Sequence, residues 1–202
     1  VITVREPGLV AYEATWHAMR EFTRSRTVDT PDEIWVLEHP PVFTLGLAGR
    51  PGHVLDPGAI PVVKTDRGGQ VTYHGPGQAV AYVLLDLRRL GLGVKELVRR
   101  LEQSAIDVLA HYGIQGVRRP GMPGVYVGEA KIAAIGLRIT RGCSYHGLAL
   151  NVDGDLAPFS RIDPCGYPGL AATRLADHGA RDKISAVQHR LAACLQKCLT
   201  TP

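Results

Sequence analysis

Runs of apolar residues, broken at short intervals by Gly and Pro, dominate the 202-residue chain. Val1 to Arg5 has the length of a short strand. Pro7 and Gly8 then open a predicted helix on which Leu9, Tyr12, Trp16, Met19 and Phe22 recur at helical spacing. Ile34 to Glu38 reads as a buried strand stopped by His39-Pro40-Pro41, and Val42 to Leu47 as another. Residues 48 to 60 are rich in Gly and Pro and read as loop, after which Val62 and Val63 lead into a second glycine-rich stretch. Ala79 to Leu87 is a long apolar strand. A helix from Val94 to Tyr112 follows, with Val94, Leu97, Val98, Leu101, Ala105, Leu109 and Tyr112 on one face and Gly113 at its C-terminal end. Strands are predicted at Gly124 to Val127, Lys131 to Thr140 and Ser144 to Val152. A loop from Asp153 to Ala171 precedes a last helix striped by Ile184, Val187, Leu191, Leu195 and Cys198. The economical architecture is one α+β domain over residues 1–202, with a mixed β-sheet and packed helices.

Composition narrows the function. At 45% hydrophobic residues the chain suits a compact domain that buries ~70% of its unfolded surface without metal or disulfide. No apolar run reaches the ~18 residues of a membrane span and the N-terminus lacks a signal-peptide pattern, so a cytoplasmic location and no membrane partner are expected. The net charge of +4 favours an acidic partner only weakly, and no basic run is interleaved with aromatics, which argues against a nucleic-acid platform. Cys143, Cys165, Cys194 and Cys198 fit neither a disulfide framework nor a paired zinc knuckle. Cys143 and His146 make a C-x-x-H pair with no second pair at zinc spacing, so no metal is expected.

The stretch RGGQVTYHGPGQ, residues 67 to 78, packs four glycines among polar side chains. It matches neither a phosphate loop nor a dinucleotide fingerprint. Glycines at this density either build a structural hairpin or let a ligand touch backbone N–H groups, and Arg67, His74 and Gln78 tilt the balance toward the ligand. Cys165 sits in D-P-C-G-Y-P-G, where the flanking Pro and Gly exclude a regular helix or strand interior. A thiol in such a turn suits a nucleophile. Lys131 at a strand start reads by itself as a solvated lysine, and simple alternation sends it and Ile132 to opposite faces. Ala134 and Gly136 share a face of one strand, as do Tyr145, Gly147 and Ala149 of the next. Such small side chains leave room for a linear apolar chain or for a closely packed helix. His39 is given no role.

Taken together, RGGQVTYHGPGQ, KIAAIG, HGLALNVD and PCG resemble the octanoyltransferases of lipoate biosynthesis in order and spacing over nearly the whole chain. The resemblance implies the catalytic-domain fold of biotin and lipoate protein ligases. It implies transfer of an octanoyl group from acyl carrier protein to a lysine of lipoyl domains, those of 2-oxoacid dehydrogenases and of the glycine cleavage H protein, with no cofactor. It further implies a dyad of Cys165 and Lys131. The implied substrate contacts are Arg67, Gly68, Gly69, Gln70, Val71, Thr72, Tyr73 and His74, then Ala134, Ile135 and Gly136, then Gly147, Leu148 and Ala149. The family's valine-threonine-serine-leucine run after the cysteine corresponds here to Ala172-Thr173-Arg174-Leu175, with only Thr173 and Leu175 kept. Two alternatives stay open: an ATP-dependent lipoate or biotin protein ligase, which needs no nucleophilic cysteine, and a non-catalytic binder of acyl groups or lipoyl domains.

Overall fold

A computed structural model of the chain describes residues 2–163 and 169–200. Its regular elements run β1 (Ile2–Leu9), α1 (Tyr12–Ser25), β2 (Asp32–Glu38), β3 (Val42–Leu45), β4 (Val62–Lys64), β5 (Val71–His74), β6 (Gln78–Leu84), α2 (Val94–His111), β7 (Val117–Arg119), β8 (Met122–Val127), β9 (Ala130–Thr140), β10 (Cys143–Asn151) and α3 (Ile184–Thr200). Seven strands form a large sheet in the order β1-β2-β6-β10-β9-β8-β7, and β4-β3-β5 form a small one. Both are mixed. β1 runs parallel to β2 and β3 parallel to β4, while the other pairs are antiparallel.

The apolar run starting at Ala79 is buried because both faces of β6 are covered. Ala79, Ala81 and Val83 point into a core closed by Leu97, Leu101 and Leu109 of α2 and by Leu191 and Leu195 of α3. Val80, Tyr82 and Leu84 point the other way, toward Met19 of α1. The alternation of a strand accounts for both layers at once. The small sheet has its own core of Phe43, Leu45, Val71 and Tyr73, joined by Ile162.

Several elements differ from the sequence expectation. Pro7 and Gly8 do not open a helix. β1 runs through them to Leu9, its register shifting between Arg5 and Gly8, with Gly8 at φ +80°. Because β1 is an edge strand, the missing N–H of Pro7 is tolerated there. The helix therefore begins at Tyr12 and Leu9 is exposed outside it. Val94, at the first turn of α2, is also exposed and not part of the core face. Gly113 does end α2, at φ +70°, with its N–H on Ala110 O and that of Ile114 on Leu109 O. The edge strand β7, only three residues long and carrying Arg118 and Arg119, has no hydrophobic alternation to announce it.

Candidate active site

The glycine-rich stretch begins as a loop and continues as β5. Arg67 is buried, and its guanidinium donates to Thr44 Oγ1 at 2.8 Å, to Thr44 O at 2.6 Å and to the carbonyls of Gly68 and Gln70 at 3.0 Å each. The cation thus fastens the loop onto β3. Gly68 donates its N–H to Leu137 O of β9 at 2.8 Å, and Gly69 sits at φ +85°. A β-carbon on Gly46 would lie 2.4 Å from Gly69 O, and one on Gly77 would lie 2.3 Å from Gly154 N. Much of the glycine content therefore lets main chain meet main chain, as the hairpin reading required.

A cavity of ≈ 80 Å³ lies between the two sheets. Its walls are mostly apolar, with Val71 and Thr72 of β5 on one side and Val80, Ala134 and Ala149 of the large sheet on the other. The register explains the open space: Ala134 faces Ala149 and Gly136 faces Gly147 across the β9–β10 ladder. The two readings of these small residues share the outcome. Ala149 belongs to the same buried cluster as Met19 of α1, and Gly136 lies under the Arg67–Gly68 main chain, its hypothetical β-carbon 3.0 Å from Gly68 O. What remains between them is the slot.

Lys131 lines the same slot as Ala134, although strict alternation places them on opposite faces. A register break reconciles this: Tyr126 faces Lys131 while Val125 faces Ala133, so β9 carries one extra residue, at Ile132. That β-bulge turns Lys131 toward the cavity. Its main chain is held by the segment beyond, the N–H donating to Ala171 O at 2.8 Å and the carbonyl accepting from Thr173 N–H at 3.0 Å.

Of the dyad and substrate-contact residues implied by the resemblance, all the described ones except Gly68 and Tyr73 line the cavity. Gly68 packs instead against Leu137, and the ring of Tyr73 is buried in the small sheet's core beside Phe43 and Phe159. Cys165 lies outside the described residues.

Sequence reasoning assigned no place in the slot to Tyr12, Tyr82, His146 or Asn151, all of which line it. Counting by twos from Val80 finds Tyr82. No such count finds His146, because its φ of 61° breaks the alternation of β10. The break lets successive residues reach one carboxylate: Tyr145 O–H donates to Asp66 Oδ2, and His146 donates from Nε2 to Asp66 Oδ1 at 3.0 Å. Trp16 Nε1–H adds a third bond at 2.7 Å. Burial pushes the Asp66 carboxyl up, but the bonds from His146, Tyr145 and Trp16 outweigh it and hold it well below the usual carboxylate range.

Two further histidines back the slot. His39 donates from Nδ1 to Val10 O at 2.6 Å, which leaves Nε2 to accept Tyr82 O–H at 2.7 Å. His74 donates from Nδ1 to Gln78 Oε1 at 2.7 Å, and Gln78 in turn donates to Asn151 Oδ1 at 2.9 Å. Burial lowers the pKa of His39 to about 4 and, joined by the neighbouring His39, that of His74 to about 3. Both are neutral imidazoles at pH 7, giving the cavity a polar but uncharged backing. Among the described residues no group of three or more His, Cys, Asp or Glu side chains is placed to hold a metal ion, and no helix is long and apolar enough to cross a membrane.

An apolar slot with a lysine at its bulged edge suits a reaction on a flexible acyl chain, and comparison with known proteins agrees. The family of the lipoyl protein ligase A/B catalytic domain matches residues 11–196. An octanoyltransferase of Aromatoleum aromaticum is 61% identical over 198 residues, covering 98% of this chain and 86% of that protein. One from Pseudomonas fluorescens is 60% identical over 195 residues, covering 96% and 91%. Among solved structures, a bipartite lipoate protein ligase from Thermoplasma acidophilum superposes with a TM-score of 0.76 at 18% identity, covering 98% of this chain and 84% of that one. A biotin protein ligase from Aquifex aeolicus gives 0.57 at 12%, covering 98% and 68%. The two solved structures share the fold expected from the sequence; the two close relatives go further, and the chain belongs to the lipoyl protein ligase A/B catalytic-domain family, among its octanoyltransferases.

Proposed function

We propose that this octanoyltransferase takes its acyl group from octanoyl-acyl carrier protein and delivers it to a lysine of lipoyl domains through a thioester on Cys165, with Lys131 as the second member of the dyad. The reading rests chiefly on the shared wall of the cavity, where Lys131 and the small residues Ala134 and Ala149 lie together. Leu170, five residues after Cys165 in the chain, lines the same space.

The chemistry fits that arrangement. A thiol of ordinary pKa ~8.5 is about 3% thiolate at pH 7, which costs roughly 2 kcal/mol, and a nearby ammonium removes part of that cost. The Cys165 thiolate attacks the donor carbonyl, a new carbon–sulfur bond forms and the old one breaks, and the carrier thiolate leaves with a proton from the Lys131 ammonium, which becomes a neutral amine. One thioester replaces another with little change in free energy. The acceptor amine, pKa ~10.4, is neutral in only about one molecule in 2,500 at pH 7, a contribution of roughly 4.6 kcal/mol to the second barrier. Neutral Lys131 accepts the proton as nitrogen attacks and the Cys165 sulfur leaves. Thioester to amide is downhill, so no nucleotide is consumed. Within the slot each buried CH₂ contributes ~0.8 kcal/mol, which favours a chain that fills the space and stops at its end.

Intact-mass measurement after mixing with octanoyl-acyl carrier protein tests the scheme. An octanoyl adduct, released by hydroxylamine and absent from Cys165→Ala, is expected. An unmodified wild-type mass refutes the covalent step, and transfer from free octanoate that depends on ATP refutes the donor.

A further inference from the structure

Tyr126 stands directly opposite Lys131 in the β8–β9 pairing and is fully buried. The Lys131 ammonium lies 5.3 Å from the centre of its ring and donates to Pro123 O at 3.3 Å. The same ring carries a second cation, the Arg119 guanidinium, at 4.6 Å. Arg119 is itself tied to Glu129 at 2.8 Å and to Gly128 O at 2.9 Å, which fixes the second cation against the ring. Gly124 opens the path for the lysine stem. Its φ is +129°, and a β-carbon there would lie 3.3 Å from Lys131 Cε and 2.5 Å from Ala133 O. The Gly124 N–H donates to the buried Glu102 carboxylate of α2 at 3.1 Å, which anchors this part of β8 to the helix layer.

We infer that Tyr126 is a positioning residue for Lys131: the face of its ring, not its hydroxyl, holds the lysine ammonium at the edge of the acyl slot. A lysine has four rotatable bonds and roams unless something fixes it. A buried ring attracts the charged head through its quadrupole and sets where it sits. The Tyr126 hydroxyl is engaged elsewhere, donating to Met122 O at 3.3 Å. The inference rests on Lys131 belonging to the dyad, and the test separates the two claims.

The experiment places Phe and then 4-fluoro-, 3,5-difluoro- and 3,4,5-trifluorophenylalanine at position 126 in the full chain. Fluorine drains the face of the ring while hardly changing its size. Phe is expected within about twofold of wild type. Along the fluorinated series kcat should fall progressively, by roughly three- to tenfold in total, with KM for octanoyl-acyl carrier protein unchanged within twofold and thermal midpoints held within a few degrees. A role in packing alone predicts a flat series. A flat kcat, or a Phe variant as slow as the trifluoro one, overturns the inference. Lys131→Ala is measured alongside. If it retains full activity, the dyad fails; if it is inactive while the fluorinated series stays flat, the dyad stands and only the role given to Tyr126 falls.

Discussion

Gly136 and Gly147 face each other across the β9–β10 ladder, and main chain crowds the place of a side chain at both. A β-carbon on Gly147 would stand 2.1 Å from Ala81 O of β6, and one on Gly136 would stand 3.0 Å from Gly68 O. Both obstacles are main chain, which cannot swing aside as a flexible side chain can. Gly147→Ala is therefore expected to destabilise the protein by about 3 kcal/mol or more, read from urea unfolding. Gly136→Ala should cost less, about 1 kcal/mol, since its nearest contact is tight and not overlapping. Equal midpoints for both variants and wild type would contradict this account of the ladder.

Ala134 meets the cavity and not another strand's backbone, so enlarging it should change selectivity before stability. Ala134→Leu adds three carbons to the slot. Transfer of octanoyl should drop at least tenfold, while butyryl, shorter by four carbons, loses little, because each excluded CH₂ forfeits ~0.8 kcal/mol. Competition between C4 and C8 acyl thioesters measures the switch. A variant that keeps its preference for the eight-carbon group would place the acyl chain elsewhere.

Stability should depend on pH through the buried histidines. Folding lowers the pKa of His39 to about 4 and of His74 to about 3, from an ordinary value near 6.5. As pH falls below ~6.5 the unfolded chain takes up protons that the folded one refuses, so the stabilisation is complete above that pH and is lost on the way down to 4 and 3. The slope is up to roughly 1.4 kcal/mol per pH unit for each group. His146 is shifted in the same direction by its burial. The Asp66 carboxyl, held low, titrates below pH 5 and leaves the range from 7 to 5 to the histidines. The urea midpoint should decline steadily from pH 7 to 5, and His39→Gln should make the decline shallower. A midpoint constant over that range would disprove the assignment.

Asp66 accepts from three aromatic side chains on two elements, so its loss should exceed that of an ordinary partly exposed carboxylate. Asp66→Ala strands those donors and should cost about 3 kcal/mol. Asp66→Asn keeps one acceptor oxygen for Trp16 and His146 and should cost about 1 kcal/mol. Denaturant unfolding of the two variants checks the ranking. The reverse order would mean that charge repulsion, not lost bonding, governs the site.

The parts of this architecture that follow simple periodicity were legible in the sequence. The stripe of α2 and the two-sided burial of β6 are examples, and so is the pairing of small residues on β9 and β10. What escaped were the places where the chain departs from its own period. Alternation through Lys131 and Ile132 cannot foresee an extra residue at 132, because the bulge is fixed by pairing with Val125 and Tyr126. His146 looks like an outward residue on β10 until its positive φ turns it inward. The same holds at Gly8, where a strand outlasts a proline because β1 is the edge of the sheet among the described residues. Most of the residues that the motif resemblance pointed to line the cavity. The contacts it implied left out Tyr12 and Tyr82, which come from elements outside those motifs, and Asn151, which stands inside HGLALNVD two residues past the last implied contact.

The two hydrogen bonds that splice the Lys131 peptide to Ala171 and Thr173 carry a mechanical consequence. Any swing of the β9 tip drags the stretch just downstream of the cysteine with it, as two planks nailed at one end move as one. Widening the slot at this end to admit a bulkier guest therefore has to displace both stretches together.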